Sequence, residues 1–275
     1  MMIVLPGVPY EMRDILDGSV IPMLAGHPLA AVTVHRTLRT TGITESRLAR
    51  ILGDPAELLQ GASLAFLPSP RGVRLRVTAQ GRERAEAARS VDRVAAEILR
   101  RAGPYVYGEG TEELEEVLGR LLSERRLTLA VAESCTGGLI ADRLTDTSGS
   151  SAYFERGVIA YSNVSKTSLL GVAPELIEKH GAVSREVALA MAAGVRAIAS
   201  TDIGLATTGI AGPTGGTVDK PVGLVWVAYA DRERSRALRF TFGEGRRRVK
   251  ERASQAALEL VRRMILNITD ASEAP

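Results

Sequence analysis

The stretch that most constrains this chain is Glu133-Ser134-Cys135-Thr136-Gly137-Gly138. It lies between an apolar run over residues 127–132 and a helix-like stripe of Leu139, Ile140 and Leu144. A glycine pair at a strand-to-helix bend presents backbone N–H groups at the positive end of the helix dipole, where a phosphate or a developing oxyanion can sit. In an open α/β sheet such a bend falls at the carboxyl edge of the strands, the usual ligand crevice. Ser134, Thr136 and Gly137 are therefore candidate substrate-binding groups. The competing explanation is a helix N-cap followed by two packing glycines.

The rest of the chain divides around this bend. Residues 1–5 read as a buried strand and 13–24 as a helix, a pair that cannot bury its own apolar faces. Residues 1–28 thus read as the tail of a larger domain. Residues 29–109 follow a β-α-β-β-α-β order: strand 31–38, helix 44–52, hairpin 64–67 with 73–78, helix 83–101 and strand 105–107. That order predicts a small ferredoxin-like domain. From residue 110 to 275 strands and helices alternate, which predicts a three-layer-type α/β domain with a mixed sheet. Two glycine loops, at 134–138 and 209–216, each follow a strand and open the same edge if those strands run parallel.

Composition narrows the function classes. With 275 residues, 45% of them hydrophobic, the chain is long enough for two modest cores. Its net charge of +3 comes with arginines spread along amphipathic stretches, and aromatics at 4% leave little for a base-stacking platform. Nucleic acid is not an expected partner. The single cysteine rules out an internal disulfide framework and fits a reducing, cytoplasmic setting. Residues 187–199 are too short, and broken by Arg196, to span a bilayer, so no membrane partner is expected. No Cys/His/Asp cluster stands at metal-ligand spacing, and no metal or cofactor is expected.

Downstream of the bend stand Ser148-Gly149-Ser150-Ser151, Tyr161 and Lys166. Serine is a poor nucleophile without a base beside it. Histidine is scarce, and His180 sits at an apparent helix end, so the pattern points to a serine–lysine arrangement. Such a lysine works only if burial or a nearby cation brings its pKa down from about 10.4. Tyr161 is placed to relay the proton or to hold the lysine. The plainer alternative has Ser151 capping a turn, Tyr161 packing on a strand and Lys166 in solvent. The second loop offers Thr208, Gly209 and Gly212 to a polar ligand. Arg246-Arg247-Arg248 opens the last helix against its dipole, which a substrate phosphate would neutralise. Cys135, near a helix N-terminus, is a rival nucleophile without a base in sequence reach.

The motifs Glu133–Gly138, Gly149-Ser150-Ser151-Ala152-Tyr153-Phe154, Ala160-Tyr161-Ser162-Asn163 with Lys166, Gly181-Ala182-Val183-Ser184, Thr208-Gly209-Ile210-Ala211-Gly212-Pro213 and Lys220-Pro221-Val222-Gly223 closely resemble the C-terminal domain of the competence/damage-inducible CinA family. The likeness runs from about residue 110 to 266. It implies a nicotinamide-nucleotide amidase, hydrolysing nicotinamide mononucleotide (NMN) to nicotinic acid mononucleotide and ammonia, without a cofactor and as a homodimer in the cytoplasm. It places the nucleophile on Ser151 beside Tyr161 and Lys166, with Ser134, Thr208 and Arg248 at further active-site positions. Leu5-Pro6-Gly7-Val8-Pro9-Tyr10-Glu11-Met12 is similar to the end of the family's N-terminal molybdopterin-binding-like domain, most of which this sequence lacks. The metal-dependent pyrophosphatase activity of that domain is therefore not expected here. Thr147 and Thr214 stand where the family more often has proline and aspartate. In an amidase of this kind a glycine loop would hold the oxyanion, and a single lost donor costs about 2.7–4 kcal/mol. The alternative function is a non-catalytic nucleotide-binding or regulatory domain that has kept the pocket.

Overall fold

The computed structural model describes residues 2–25, 31–243 and 245–268. Residues 2–6 have no regular structure, so the strand expected over 1–5 does not form there; no described strand pairs with them. A helical stretch follows as α1 (Pro9–Ile15), a π-helical turn (Leu16–Val20) and α2 (Ile21–Ala25). The boundary expected at residues 28/29 lies outside the described residues.

The first sheet is built from β1 (Val32–Thr40), β2 (Ser63–Ser69), β3 (Gly72–Gly81) and β4 (Val106–Glu109). Its order is β2-β3-β1-β4 with every neighbour antiparallel. Between β1 and β2 lie α3 (Glu45–Leu52) and α4 (Pro55–Leu59), started by the Thr44 and Asp54 side chains that accept backbone N–H groups of the first turn. Helix α5 (Arg84–Ala102) joins β3 to β4 and turns Ala87, Val91, Val94, Ala95 and Ile98 onto the sheet. Its arginines stay on the other face. This is the split βαβ arrangement that the apolar spacing predicts.

The second sheet starts after α6 (Leu114–Arg125), whose N-terminus is a reciprocal cap between Glu113 and Glu116 rather than the Thr111 cap the sequence suggests. Its strands are β5 (Leu129–Glu133), β6 (Phe154–Ile159), β7 (Ile203–Gly209), β8 (Leu224–Ala230) and β9 (Ser235–Thr241). They lie in the order β6-β5-β7-β8-β9. Strand β5 runs parallel to β6 and β7, and β8 and β9 are antiparallel additions. The sheet is therefore mixed, and the two glycine loops do open one edge.

Helices cover both faces. On one side α7 (Leu139–Thr145) and α11 (Arg246–Leu266) pack with α6 over Val131, Leu205, Val227 and Tyr229. On the other, α8 (Asn163–Leu170), α9 (Pro174–His180) and α10 (Arg185–Ala199) pack over Ala130, Ala132, Ala206 and Ala228. Alanines on that face let α10 approach closely. Gly204 has the same origin: a Cβ there would stand 2.0 Å from the Ala192 carbonyl oxygen on α10. Polar side chains tie the two halves together, among them Arg39 to Glu113 at 2.6 Å and Gln255 to Thr41 at 3.1 Å.

Candidate active site

The carboxyl edge of β5 is shaped by its last residue. Glu133 is 1% exposed and turns its carboxylate up to the start of α7, accepting from the N–H groups of Gly138, Ile140 and Ala141 at 2.9–3.1 Å. A buried carboxylate needs such donors, and a helix N-terminus supplies them with a favourable dipole. This corrects the expectation of free donors at the head of α7: the protein's own anion already occupies them. Gly137 and Gly138 have φ of 60° and 94°, so the bend from Glu133 into α7 requires residues without a Cβ.

Beyond Glu133 the chain places Ser134, 7% exposed, beside Lys166 from the first half of α8. Lys166 is 1% exposed. Its Nζ lies 2.9 Å from the Ala160 carbonyl oxygen, 3.1 Å from that of Tyr161 and 3.1 Å from Ser134 Oγ. No carboxylate reaches it among the described residues. Burial therefore pushes its pKa below the ordinary lysine value. Nζ donates to all three oxygens. The two carbonyls can only accept, whereas the hydroxyl can donate in its turn once the amine has lost its extra proton. The plainer alternative of a solvated lysine is thus excluded.

Tyr161 meets Lys166 through its carbonyl, not its phenol. The phenol is 61% exposed and accepts from Arg246 Nη2 at 3.1 Å, while Arg246 Nη1 donates to the Gly212 carbonyl at 3.0 Å. The proton relay by the Tyr161 hydroxyl has no contact to run through, whereas holding the lysine does. Arg246 ties the two loops across the mouth. It is the arginine of the 246–248 run that reaches the site. Arg247 pairs with Glu251 at 2.7 Å, and Arg248 is exposed and has no hydrogen-bonding or ionic partner among the described residues. One turn on from Arg246, Lys250 comes close enough that a Cβ on Gly137 would lie 3.4 Å from its Nζ. Helical spacing carries residues 246 and 250 to one face. That spacing was the signal available for this second cation.

The other expected ligand groups are largely committed. Thr136 Oγ1 pairs with Thr207 Oγ1 at 2.7 Å, both fully buried, so Thr136 is a packing hydroxyl. Thr208 donates to the Ala182 carbonyl at 2.7 Å and keeps only acceptor capacity. Gly209 is required by strand pairing, since a Cβ would come 2.7 Å from the Leu224 carbonyl oxygen, and Gly212 by a 2.5 Å approach to Val222. Burial pushes the Cys135 thiol up to about 12, so it stays protonated at neutral pH and is no nucleophile.

Ser151 is not with the others. It lies exposed in the 3-10 turn Ser150–Ala152 before β6. Because β5 and β6 are parallel and Leu129 pairs with Phe154, that turn sits at the amino edge of the sheet. Ser134, Tyr161 and Lys166 sit at the carboxyl edge. The five residues of β5 separate the two, about 16 Å at strand rise. Within one chain Ser151 cannot touch Lys166. Strand β6 stands between the two in sequence, which puts them at its opposite ends.

A further hollow lies at the amino edge, lined in part by Arg125, Asp202, Tyr229, Asp231 and Arg234. Its polar groups are mutually satisfied: Tyr229 and Arg234 donate to Asp231, and Asp202 accepts from Thr128. It is structural. No group of His, Cys, Asp and Glu suited to a metal ion occurs among the described residues, and no described helix is long and apolar enough to cross a membrane.

An open α/β domain with a buried lysine–serine pair at its carboxyl edge, joined to a ferredoxin-like domain, is the class these observations define. The chain belongs to the CinA family. The family model for the CinA C-terminal domain matches residues 111–265, and that for the damage-inducible protein CinA KH domain matches residues 35–108. Among its relatives, a CinA-like protein of Salinibacter ruber is 49% identical over 266 residues, covering 96% of this chain and 64% of that protein. One of Syntrophus aciditrophicus is 46% identical, covering 95% of this chain and 63% of the relative. The chain thus spans somewhat under two thirds of the length of these relatives. Among solved structures, the competence/damage inducible protein CihA from Agrobacterium tumefaciens is 39% identical with a TM-score of 0.53, covering 57% of this chain and 98% of that one. The Gly-x-x-Gly loop through which KH domains clamp a nucleic-acid backbone does not occur in residues 35–108.

Proposed function

We propose that the second domain is an amidohydrolase acting on a nicotinamide nucleotide, converting NMN and water to nicotinic acid mononucleotide and ammonia. The observation that carries the reading is Lys166, a buried amine with no carboxylate, held by two carbonyls and turned onto a serine hydroxyl. A binding domain has no use for that arrangement, since a buried lysine without a counter-charge costs stability.

In the proposed mechanism Lys166 is the proton acceptor and Ser134 the hydroxyl through which it acts. Ser151, supplied to the pair by the second copy of a homodimer, attacks the carboxamide carbon, its proton passing by way of Ser134 Oγ to Lys166 Nζ. Collapse of the tetrahedral intermediate breaks the C–N bond, and the lysine proton leaves with ammonia. Water then attacks the ester, its proton takes the same route, and the free acid departs. Arg246 and Lys250 supply positive charge at the mouth for the substrate phosphate, in place of the contact expected of Arg248. Ammonia release from NMN by the purified chain is the test. If NMN binds in calorimetry but no ammonia appears over hours, the domain is a nucleotide-binding regulator and the amidase reading fails.

A further inference from the structure

Among the described residues the two sheets end in four edge strands, and these are not alike. Strand β4 has four residues, β6 carries Glu155 and Arg156, and β9 carries Arg236 and Arg239. Shortness and charge are the usual guards against pairing with another chain. Strand β2 has neither. Its seven residues, Ser63–Ser69, bear no charge, and Leu64, Ala65, Phe66 and Leu67 stand in a row. We infer that β2 is a self-association edge, pairing antiparallel with β2 of a second copy across a two-fold axis at Ala65 and joining two first domains into one eight-stranded sheet. The inference does not rest on the amidase reading.

The hairpin fixes which backbone groups are free. Thr40 Oγ1 donates to the Val73 carbonyl oxygen at 2.7 Å, so the polar backbone groups of Val73 turn towards β1 and away from its β2 partner, Pro68. Antiparallel partners alternate between bonded and non-bonded pairs. Ser63, Ala65 and Leu67 therefore bond to β3, and the N–H and C=O groups of Leu64 and Phe66 point out from the edge. No backbone hydrogen bond reaches them among the described residues. Pro68, with no N–H to offer, falls on the same outward side, where an edge strand tolerates it.

Bond counting selects the axis. A two-fold through Ala65 sets Leu64 opposite the partner's Phe66 and Phe66 opposite the partner's Leu64, so every outward N–H and C=O of these residues is met in both chains. An axis at Phe66 would set Leu64 against the partner's Pro68, whose missing N–H leaves the Leu64 carbonyl unmet. An axis at Leu64 would set Phe66 against the partner's Ala62, whose N–H is already given to the Leu59 carbonyl oxygen at 3.0 Å. The side chains agree with the first choice. Leu64 and Phe66 pack on the core under α5 yet stay only half-buried, since no strand lies beyond them. Facing large apolar residues stabilise an antiparallel pair. Ala65, exposed on the other face, is small enough for the approach of about 4.5 Å between Cα atoms that a non-bonded pair makes. A contact of one strand pair is small, so the association is weak and depends on concentration.

Cysteine cross-linking tests the register. In an Ala65→Cys chain the two new thiols face each other across the axis within disulfide reach, and oxidation should give a covalent dimer on a non-reducing gel. In a Ser63→Cys chain they lie four residues apart along the strands, about 13 Å, and no dimer should form. Both positions are exposed on the open face of the sheet, so random collision affects both alike, and the buried Cys135 stays silent. Sedimentation tests the association without a cross-link. Ala65→Lys sets two ammonium groups at the axis and should weaken the concentration-dependent step about tenfold, with the circular dichroism spectrum unchanged. Equal cross-linking of the two cysteine chains, or none in either, overturns the inference. So does a wild-type chain whose sedimentation at high concentration matches that of Ala65→Lys. In those cases the edge is left bare or belongs to an extended peptide of another protein.

Discussion

Two buried cations in this molecule are treated in opposite ways. Arg143 on α7 is 2% exposed and fully answered: it makes a two-pronged pair with Glu115 at 2.6 and 3.1 Å and donates to Ser254 and Gln255 at 2.9 and 2.7 Å. Burial pushes the Glu115 carboxyl up, but the hydrogen bonds and charge of Arg143 outweigh it and leave the pKa lowered. Lys166, equally buried, is given carbonyls and a hydroxyl and no carboxylate. A cation with a counter-charge is fixed in one protonation state and locks α6, α7 and α11 together. A cation without one is driven towards neutrality, and a neutral amine is a base. The sequence types are alike; the difference between structure and chemistry lies in the carboxylate.

The largest effect should come from Lys166. Lys166→Met is expected to lower kcat about 10²–10⁴-fold, the usual range for losing a general base. Ser134→Ala and Ser151→Ala should fall similarly, because groups acting as one unit fail together. Steady-state ammonia release measures all three. A Ser151→Ala chain of nearly full activity beside a dead Ser134→Ala would make Ser134 the nucleophile. The wild-type kcat/KM should rise with pH along a limb set by deprotonation of Lys166, lying below the free lysine value of about 10.4 because burial lowers it. Stability should follow the same sign. Between that lowered pKa and about 10.4 the unfolded chain binds more protons than the folded one, so stability rises with pH there. Lys166→Met should flatten that rise.

Arg143 should behave as the opposite case. Arg143→Met leaves the buried Glu115 with only the 3.5 Å ion pair to Arg71 and is expected to cost about 3–5 kcal/mol of stability, read from urea unfolding. Adding Glu115→Gln should recover part of it, because no isolated charge then remains. On the acid side the intact pair contributes stability above the unfolded Glu pKa of about 4.3 that is lost as pH falls through the lowered folded value. If Arg143→Met instead removed activity without touching stability, the distinction between the two cations would collapse.

What the chain discloses without coordinates follows from the range of each signal. Helix and strand spacing is local, so α3 and α5 were legible to within a residue and the β2–β3 hairpin to within three. The glycine bend at 137–138 was legible because no other residue type adopts its φ values cheaply. The use made of that bend was not legible. Glu133 reads as the polar end of an apolar strand, and only the fold shows its carboxylate filling the donors of α7. Ser151 stands fifteen positions before Lys166 in sequence, and β6 running between them puts the two at its opposite ends. Arg246 rather than Arg248 faces the site because the helical phase of α11 is set by Val249 and Ala253 in the core.

A smaller effect should separate the arginines at the mouth. Arg246→Ala removes the link between Tyr161 and Gly212 and a positive charge, so KM for NMN should rise by the equivalent of about 1.5–3 kcal/mol, the scale of a charge-assisted hydrogen bond. Nicotinamide riboside, which lacks the phosphate, should lose less. Arg248→Ala should change KM less than Arg246→Ala. Equal losses on both substrates would mean that Arg246 shapes the mouth without meeting the phosphate.

The smallest effect is expected where the sequence first invited a large one. Cys135 stands between Ser134 and Thr136 just ahead of the glycine bend, next to a helix N-terminus, a position that lowers a thiol pKa when the thiol is accessible. Here it is 5% exposed among the side chains packed under α7 and α11, and burial holds it as the thiol, with a pKa of about 12. The donors that would have stabilised its thiolate are spent on Glu133. Cys135→Ala should therefore keep kcat/KM within about tenfold, roughly 1.4 kcal/mol, the cost of a slightly repacked neighbour to Ser134. Reaction with a thiol reagent should be slow in the folded chain and speed up in denaturant. Fast inactivation at neutral pH that Cys135→Ala abolishes, together with an active Ser151→Ala chain, would move the chemistry onto the thiol and leave Lys166 as a cation that merely lacks its carboxylate.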